Sequence, residues 1–127
     1  MNNKNIWLKT IIVVFLLGLA GCSGSDEYGS GVDPDLPVVK VRDLLLNPEL
    51  EGTRLTIHGS IVNLCASRGC WLYIQDDTGR IFVNLAPADI TLPFRQGQTV
   101  GKQAWVSGIM RLDHGQPIME AQGLEVR

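Results

Sequence analysis

The chain is poor in charge and in aromatic rings: charged residues make up 19% of it and aromatic residues 6%. Its 11 lysines and arginines are outnumbered by 13 aspartates and glutamates. That balance argues against a nucleic-acid partner, because nucleic acid is held chiefly by Lys and Arg neutralising phosphates. A run of about 20 apolar residues, long enough to cross a membrane, is missing. No Ser-His-Asp order, phosphate loop or zincin helix is present, so the usual signatures of nucleophilic, nucleotide and metalloprotease chemistry are absent. There are no internal repeats. Cysteine is scarce as well, with three in all at Cys22, Cys65 and Cys70. None of these forms the tight Cys-x2-Cys spacing of common zinc sites.

What is present begins at the N-terminus. Lys4 and Lys9 flank the start, and no acidic residue occurs among the first 21 positions. An apolar stretch from Ile11 then closes on Leu19-Ala20-Gly21-Cys22. A basic start, an apolar core of about ten residues and a small-residue cut site describe a secretory signal peptide. The Leu-Ala-Gly-Cys ending resembles the lipobox of bacterial lipoproteins. The resemblance implies removal of residues 1–21 and exposure of Cys22 as the first mature residue, with lipid on its sulfur and an acyl chain on its amine. Several chains anchor far better than one, at about 0.8 kcal/mol per buried methylene. Ser23 follows Cys22, which resembles the outer-membrane sorting pattern of diderm bacteria. The expected location is therefore the cell envelope, lipid-anchored on the periplasmic side, in the outer membrane where the host has two.

Removing residues 1–21 from 127 leaves 106, enough for one domain and too few for two. It also removes Lys4 and Lys9, leaving 9 basic against 13 acidic residues, a net charge of −4. Ser23 to Pro37 is rich in turn formers and has almost nothing to bury. With Cys22 it reads as a flexible tether over 22–37, and the folded domain is expected over 38–127. Val41, Leu44 and Leu45 stand near helical spacing, with Asp43 as a candidate cap and Pro48 as the limit.

After Gly52 the pattern becomes β. Leu55 and Ile57 alternate with polar neighbours, Gly59 interrupts, and the strand resumes to Leu64. A second strand covers Trp71 to Gln75, Asp76-Asp77-Thr78-Gly79 is a hairpin turn, and Ile81, Val83 and Leu85 mark a third strand. Ala86 to Gly101 reads as an irregular connection. A fourth strand over Lys102 to Leu112 carries Gly108, a turn follows over Asp113 to Gln116, and a fifth strand runs from Pro117 to Val126. A glycine lets a strand bend so that it serves two sheets. This order, a three-strand meander, a connection and a hairpin, predicts an all-β, five-stranded barrel like an OB-fold.

Gly59, Cys65-Ala66-Ser67-Arg68-Gly69-Cys70-Trp71, Asp76-Asp77-Thr78-Gly79, Leu92-Pro93, Val106 and Gly108 carry a second resemblance. Over Gly52 to Gly108 the chain resembles a family of small bacterial envelope proteins with an OB-fold, in which a Cys-x4-Cys-Trp segment joins the first two strands. The resemblance implies a fold and a compartment, and it brings no activity.

Once Cys22 is assigned to lipid, Cys65 and Cys70 remain. An even count in an oxidising compartment reads first as a disulfide, which for so small a loop adds about 2 kcal/mol. A soft-metal site is the alternative, with copper or zinc held by Cys65 and Cys70 together with His114 and Met110 or Met119. A thiol–disulfide oxidoreductase is a third reading, although such enzymes use Cys-x-x-Cys at a helix start. OB-folds keep their ligand face on the second and third strands. Arg68, Trp71 and Tyr73 are the candidates for that face: Trp71 and Tyr73 share one side of a strand and form a stacking platform, or else a cover over the barrel. His58 occupies a polar position of its strand, Trp105 is expected to pack, and Asp76 and Asp77 are expected to shape a turn. The expectation is a non-catalytic binding module without a cofactor. Its partners would be the membrane, through the anchor, and an envelope protein or small ligand.

Overall fold

A computed structural model describes residues 24–65, 70–92 and 99–127. The expected signal peptide, the lipid site Cys22 and the candidate Arg68 lie outside the described residues. Five strands carry the fold: β3 (Arg54–Leu64), β4 (Trp71–Gln75), β5 (Arg80–Asn84), β6 (Gln103–Asp113) and β7 (Gln116–Val126). They agree with the strands expected from the alternation of apolar and polar residues to within a residue or so. β3 pairs with β4 and β4 with β5, all antiparallel. β5 then meets β7 in parallel, over Val83–Met119 and Asn84–Glu120 only. β7 pairs with β6 and β6 returns to β3, both antiparallel, so the pairings form a ring. This is the all-β, OB-like architecture predicted from the strand order.

Two bulges fit long strands to one core. In β3 an extra residue lies between the pairs Ile61–Ile74 and Asn63–Tyr73. Leu55, Ile57 and Ile61 point inward on odd positions, and after the bulge Leu64 points inward on an even one. In β7 the pairs Gly108–Ala121 and Ser107–Gly123 bracket a second extra residue, Gln122. Met119 and Ala121 face inward before it, Leu124 and Val126 after it. One slipped residue reverses every side chain beyond it, so each bulge keeps both halves of its strand in the core. Gly59 and Gly108 answer a different need from the expected bend. A Cβ there would fall inside the van der Waals contact of the Gln75 and Glu120 carbonyl oxygens on the neighbouring strands.

The expected tether differs most from what is seen. Asp26–Gly29 forms a strand, β1, antiparallel to Gly123–Val126 of β7. The carbonyl of Gln122, turned out of the ladder by the bulge, accepts the Ser30 N–H at 3.1 Å. The Asp33 N–H donates to the Ser107 hydroxyl at 3.0 Å, and that hydroxyl lies 2.7 Å from Thr56 in a buried pair. Residues 26–33 are thus laid along the barrel, because β7 offers an unpaired edge and β1 can satisfy it. A two-residue strand β2 (Val38–Val39) adds to β3 in parallel.

The helix expected near Val41 is present as α1 (Val41–Leu46), and a 3-10 turn follows over Pro48–Leu50. Asp43 lies in its first turn and does not cap it. The capping groups come from the β4–β5 turn. Asp76 Oδ2 accepts the Val41 N–H at 2.8 Å, and the Thr78 hydroxyl oxygen accepts the Arg42 N–H at 3.0 Å.

Candidate functional site

The outward side of β4 and β5 carries three aromatic rings. Tyr73 and Phe82 stand directly opposite each other across the ladder, with ring centroids 5.5 Å apart in an edge-to-face arrangement. Trp71 meets Tyr73 at 5.9 Å, also edge to face, and Phe82 at 5.8 Å with a tilt. All three are half-buried, since the inward phase of both strands is taken by Leu72, Ile74, Ile81 and Val83. The rings hold one another in place and remain partly exposed to solvent. Such clusters add about 0.5–1.5 kcal/mol per pair beyond the area they bury.

A groove of about 360 Å³ continues from this cluster. Tyr73 and Phe82 form its floor, Leu45 of α1 one wall, and Asp113, Gln116, Pro117 and Ile118 of the β6–β7 hairpin the other. It opens where β5 and β7 diverge, because their parallel pairing starts only at Val83. Arg80 stands at the rim, where Gln75 Oε1 accepts from its Nε and Nη2 at 3.4 and 3.2 Å. The groove thus offers an aromatic floor, one guanidinium and one carboxylate.

Cys65 and Cys70, the described ends of the connection between β3 and β4, lie next to Trp71. The Cys65 N–H donates to the Trp71 carbonyl at 2.9 Å, and the Leu85 N–H to the Cys70 carbonyl at 2.9 Å. The sulfurs of Cys65 and Cys70 lie 3.3 Å apart. The pair expected from the sequence is brought together at facing strand ends. The larger metal-ligand set is not. Met110 and Met119 face each other across β6 and β7, fully buried in the core. His114 sits at the tip of the β6–β7 turn with a side chain 97% exposed, so it can touch neither methionine. Both methionines lie on the inward phase of their strands, and apolar burial outweighs any ligand role there. No group of three or more metal-binding side chains occurs among the described residues.

A second, polar recess of about 430 Å³ lies between β3, β6 and the β4–β5 turn, lined by Lys40, His58, Ser60, Gln75, Asp77 and Gln103, among others. Asp76 at its edge is committed to structure. Burial pushes its carboxyl upward, but bonds from the Thr78 hydroxyl and the N–H groups of Val41, Thr78 and Gly79 outweigh this and hold it below the ordinary carboxylate range. The hydrogen bond and charge of Lys40, 2.8 Å away, hold the Asp77 carboxyl down. His58 stacks flat on Trp105 at 4.0 Å, and the Arg127 guanidinium lies 4.6 Å from the centre of the same ring. Trp105 therefore packs as expected, while His58 gains a ring partner that its polar position did not suggest.

Phe82, Arg80 and the hairpin wall were not among the residues expected at the site. A signal for Phe82 was available: with Ile81 and Val83 facing inward, an aromatic residue between them has to face out. The hairpin wall depends on barrel closure, which no local pattern reports.

No protein-family model matches the chain, and no curated protein matches it. Solved structures do. The hypothetical protein ygiW from E. coli aligns with 78% of this chain and 99% of its own, at 16% identity and a TM-score of 0.52. An OBody, AM1L10, bound to hen egg-white lysozyme aligns with 75% of this chain and 94% of its own, at 13% identity and 0.52. A putative aspartyl-tRNA synthetase from Leishmania major Friedlin aligns with 93% of this chain, at 10% identity and 0.53. This chain spans 25% of that synthetase's length. At such identities the likeness concerns the fold.

Proposed function

We propose that this protein is a lipid-anchored binding module of the bacterial envelope, which engages a segment of another envelope protein through the aromatic face of β4 and β5 and catalyses no reaction. The observation that carries the reading is the cluster of Trp71, Tyr73 and Phe82, half-exposed and continuous with the groove. Interlocked rings lose little conformational freedom when a partner settles on them, so the binding free energy is not spent on ordering the surface. A structure of similar fold bound to lysozyme supports the idea that a barrel of this shape can hold a protein. The anchor follows from Leu19-Ala20-Gly21-Cys22, and the disulfide between Cys65 and Cys70 from an oxidising compartment.

Photo-crosslinking in intact cells tests the face. A photoreactive residue at Tyr73 or Phe82 is expected to give a discrete adduct, which a residue at Glu51, exposed between the 3-10 turn and β3, does not give. With the reactive residue at Phe82, Trp71→Ala should lower the adduct yield about tenfold, in line with about 1–3 kcal/mol for a stacking contact. Equal adducts from Glu51 and Tyr73 would show that the aromatic face has no special role. Cys22→Ala should release the protein from membranes and abolish its lipid labelling.

A further inference from the structure

We propose that Cys65 and Cys70 are an exchangeable dithiol–disulfide pair whose state sets the rim of the aromatic face. The second half of this statement rests on the reading of that face as the binding surface.

The barrel does not depend on the bridge for its closure. Five strands complete the ring through backbone pairing alone. The two cysteine positions are fixed independently of their sulfurs, by the Cys65 N–H on the Trp71 carbonyl and the Leu85 N–H on the Cys70 carbonyl. In that frame the Cys70 thiol sits 3.3 Å from the Cys65 sulfur, placed as a donor toward it. A disulfide bond is about 2.0 Å long, so closure requires a shift of little more than an ångström at ends already held by the ladder. Both states therefore suit one backbone. The two residues are also unequally exposed: Cys65 is 7% exposed, whereas Cys70 is half-buried, so the attack on an incoming reagent is assigned to Cys70. Finally, the register that pairs Leu64 with Leu72 places Cys65 opposite Trp71, beside the ring cluster. Forming or opening the bond acts on the immediate neighbour of Trp71.

The exchange needs an organic disulfide as oxidant. The Cys70 thiol gives its proton to solvent, and the thiolate attacks one sulfur of the incoming disulfide. The electron pair of the broken S–S bond leaves on the other sulfur, which departs as a thiolate and takes up a proton. Cys65, deprotonated in turn, attacks the mixed disulfide at Cys70 and expels the second thiol. Two protein thiols are oxidised to one disulfide while one external disulfide is reduced to two thiols. Two external thiols reverse the sequence.

The test uses protein purified from membranes and equilibrated with mixtures of reduced and oxidised glutathione, read by thiol alkylation and by tryptophan fluorescence. The pair is expected to pass from reduced to oxidised within the range of glutathione mixtures, and the fluorescence to change in step. That change should vanish in Trp71→Phe, while alkylation still reports the passage from reduced to oxidised. In Cys65→Ser, glutathione should accumulate on Cys70 at least tenfold faster than it accumulates on Cys65 in Cys70→Ser. Should a serine variant misfold, peptide mapping of the wild-type chain under limiting oxidised glutathione gives the same answer, with the adduct on Cys70. A pair that stays oxidised in every glutathione mixture and yields only to a strong dithiol would overturn the exchange. A fluorescence change that survives Trp71→Phe would overturn the link to the face. Neither result touches the crosslinks from Tyr73 and Phe82, which test the binding surface itself.

Discussion

Asp76 joins parts of the chain that lie 35 residues apart. One oxygen of its carboxylate closes its own turn, accepting from the Thr78 N–H and hydroxyl and from the Gly79 N–H, and the other caps α1. Asp76→Ala leaves these donors without their charged acceptor and is expected to cost about 2–3 kcal/mol in denaturant unfolding. A loss under 0.5 kcal/mol would show that water replaces the carboxylate without penalty. The folded carboxyl lies below its ordinary 3.8. Its contribution is therefore complete above that value and is lost as the pH falls through the lower, folded one. The acid limb of the stability curve should be shallower in Asp76→Asn than in the wild type. The sequence already pointed to a turn at Asp76. The second role was not legible there, because capping at such a distance exists only once α1 has docked.

At the level of elements, alternation of apolar and polar residues located all five barrel strands, since each has one face in the core and one in water. Extended to Met110 and Met119, the same alternation puts both on the inward phase of their strands, a signal that the expected metal site left out of account. β1 was illegible for a physical reason. Asp26-Glu27-Tyr28-Gly29 has little to bury and no alternation, and its order comes from the edge of β7 and the exposed carbonyl of Gln122. Local composition reports neither. Hydrogen exchange distinguishes a paired strand from a free tether. The amide of Ser30, which donates to Gln122, is expected to exchange at least a hundredfold more slowly than that of an unstructured chain. Exchange at the unstructured rate would return the segment to a tether.

For the whole molecule, the docking of β1 constrains the geometry that the proposed lipid anchor would have. A tether over 22–37 would let the barrel roam, whereas the chain from Cys22 to Asp26 spans at most about 14 Å in four residue steps. Asp26 lies opposite Val126, at the C-terminal end of β7, and Gln116 lies at the other end of that 11-residue strand. An extended strand of this length measures about 35 Å. A lipid on Cys22 would thus hold one end of β7 against the bilayer, with the hairpin wall of the groove at the far end, facing the compartment where a partner arrives. Vesicles that carry a nitroxide-labelled lipid and the lipidated protein measure this directly. A fluorescent residue at Glu27, exposed on β1, is expected to be quenched at least twofold more than one at Gln116, exposed at the hairpin. Equal quenching at the two positions would mean that the barrel lies flat or moves freely, and that the short anchor does not orient the groove.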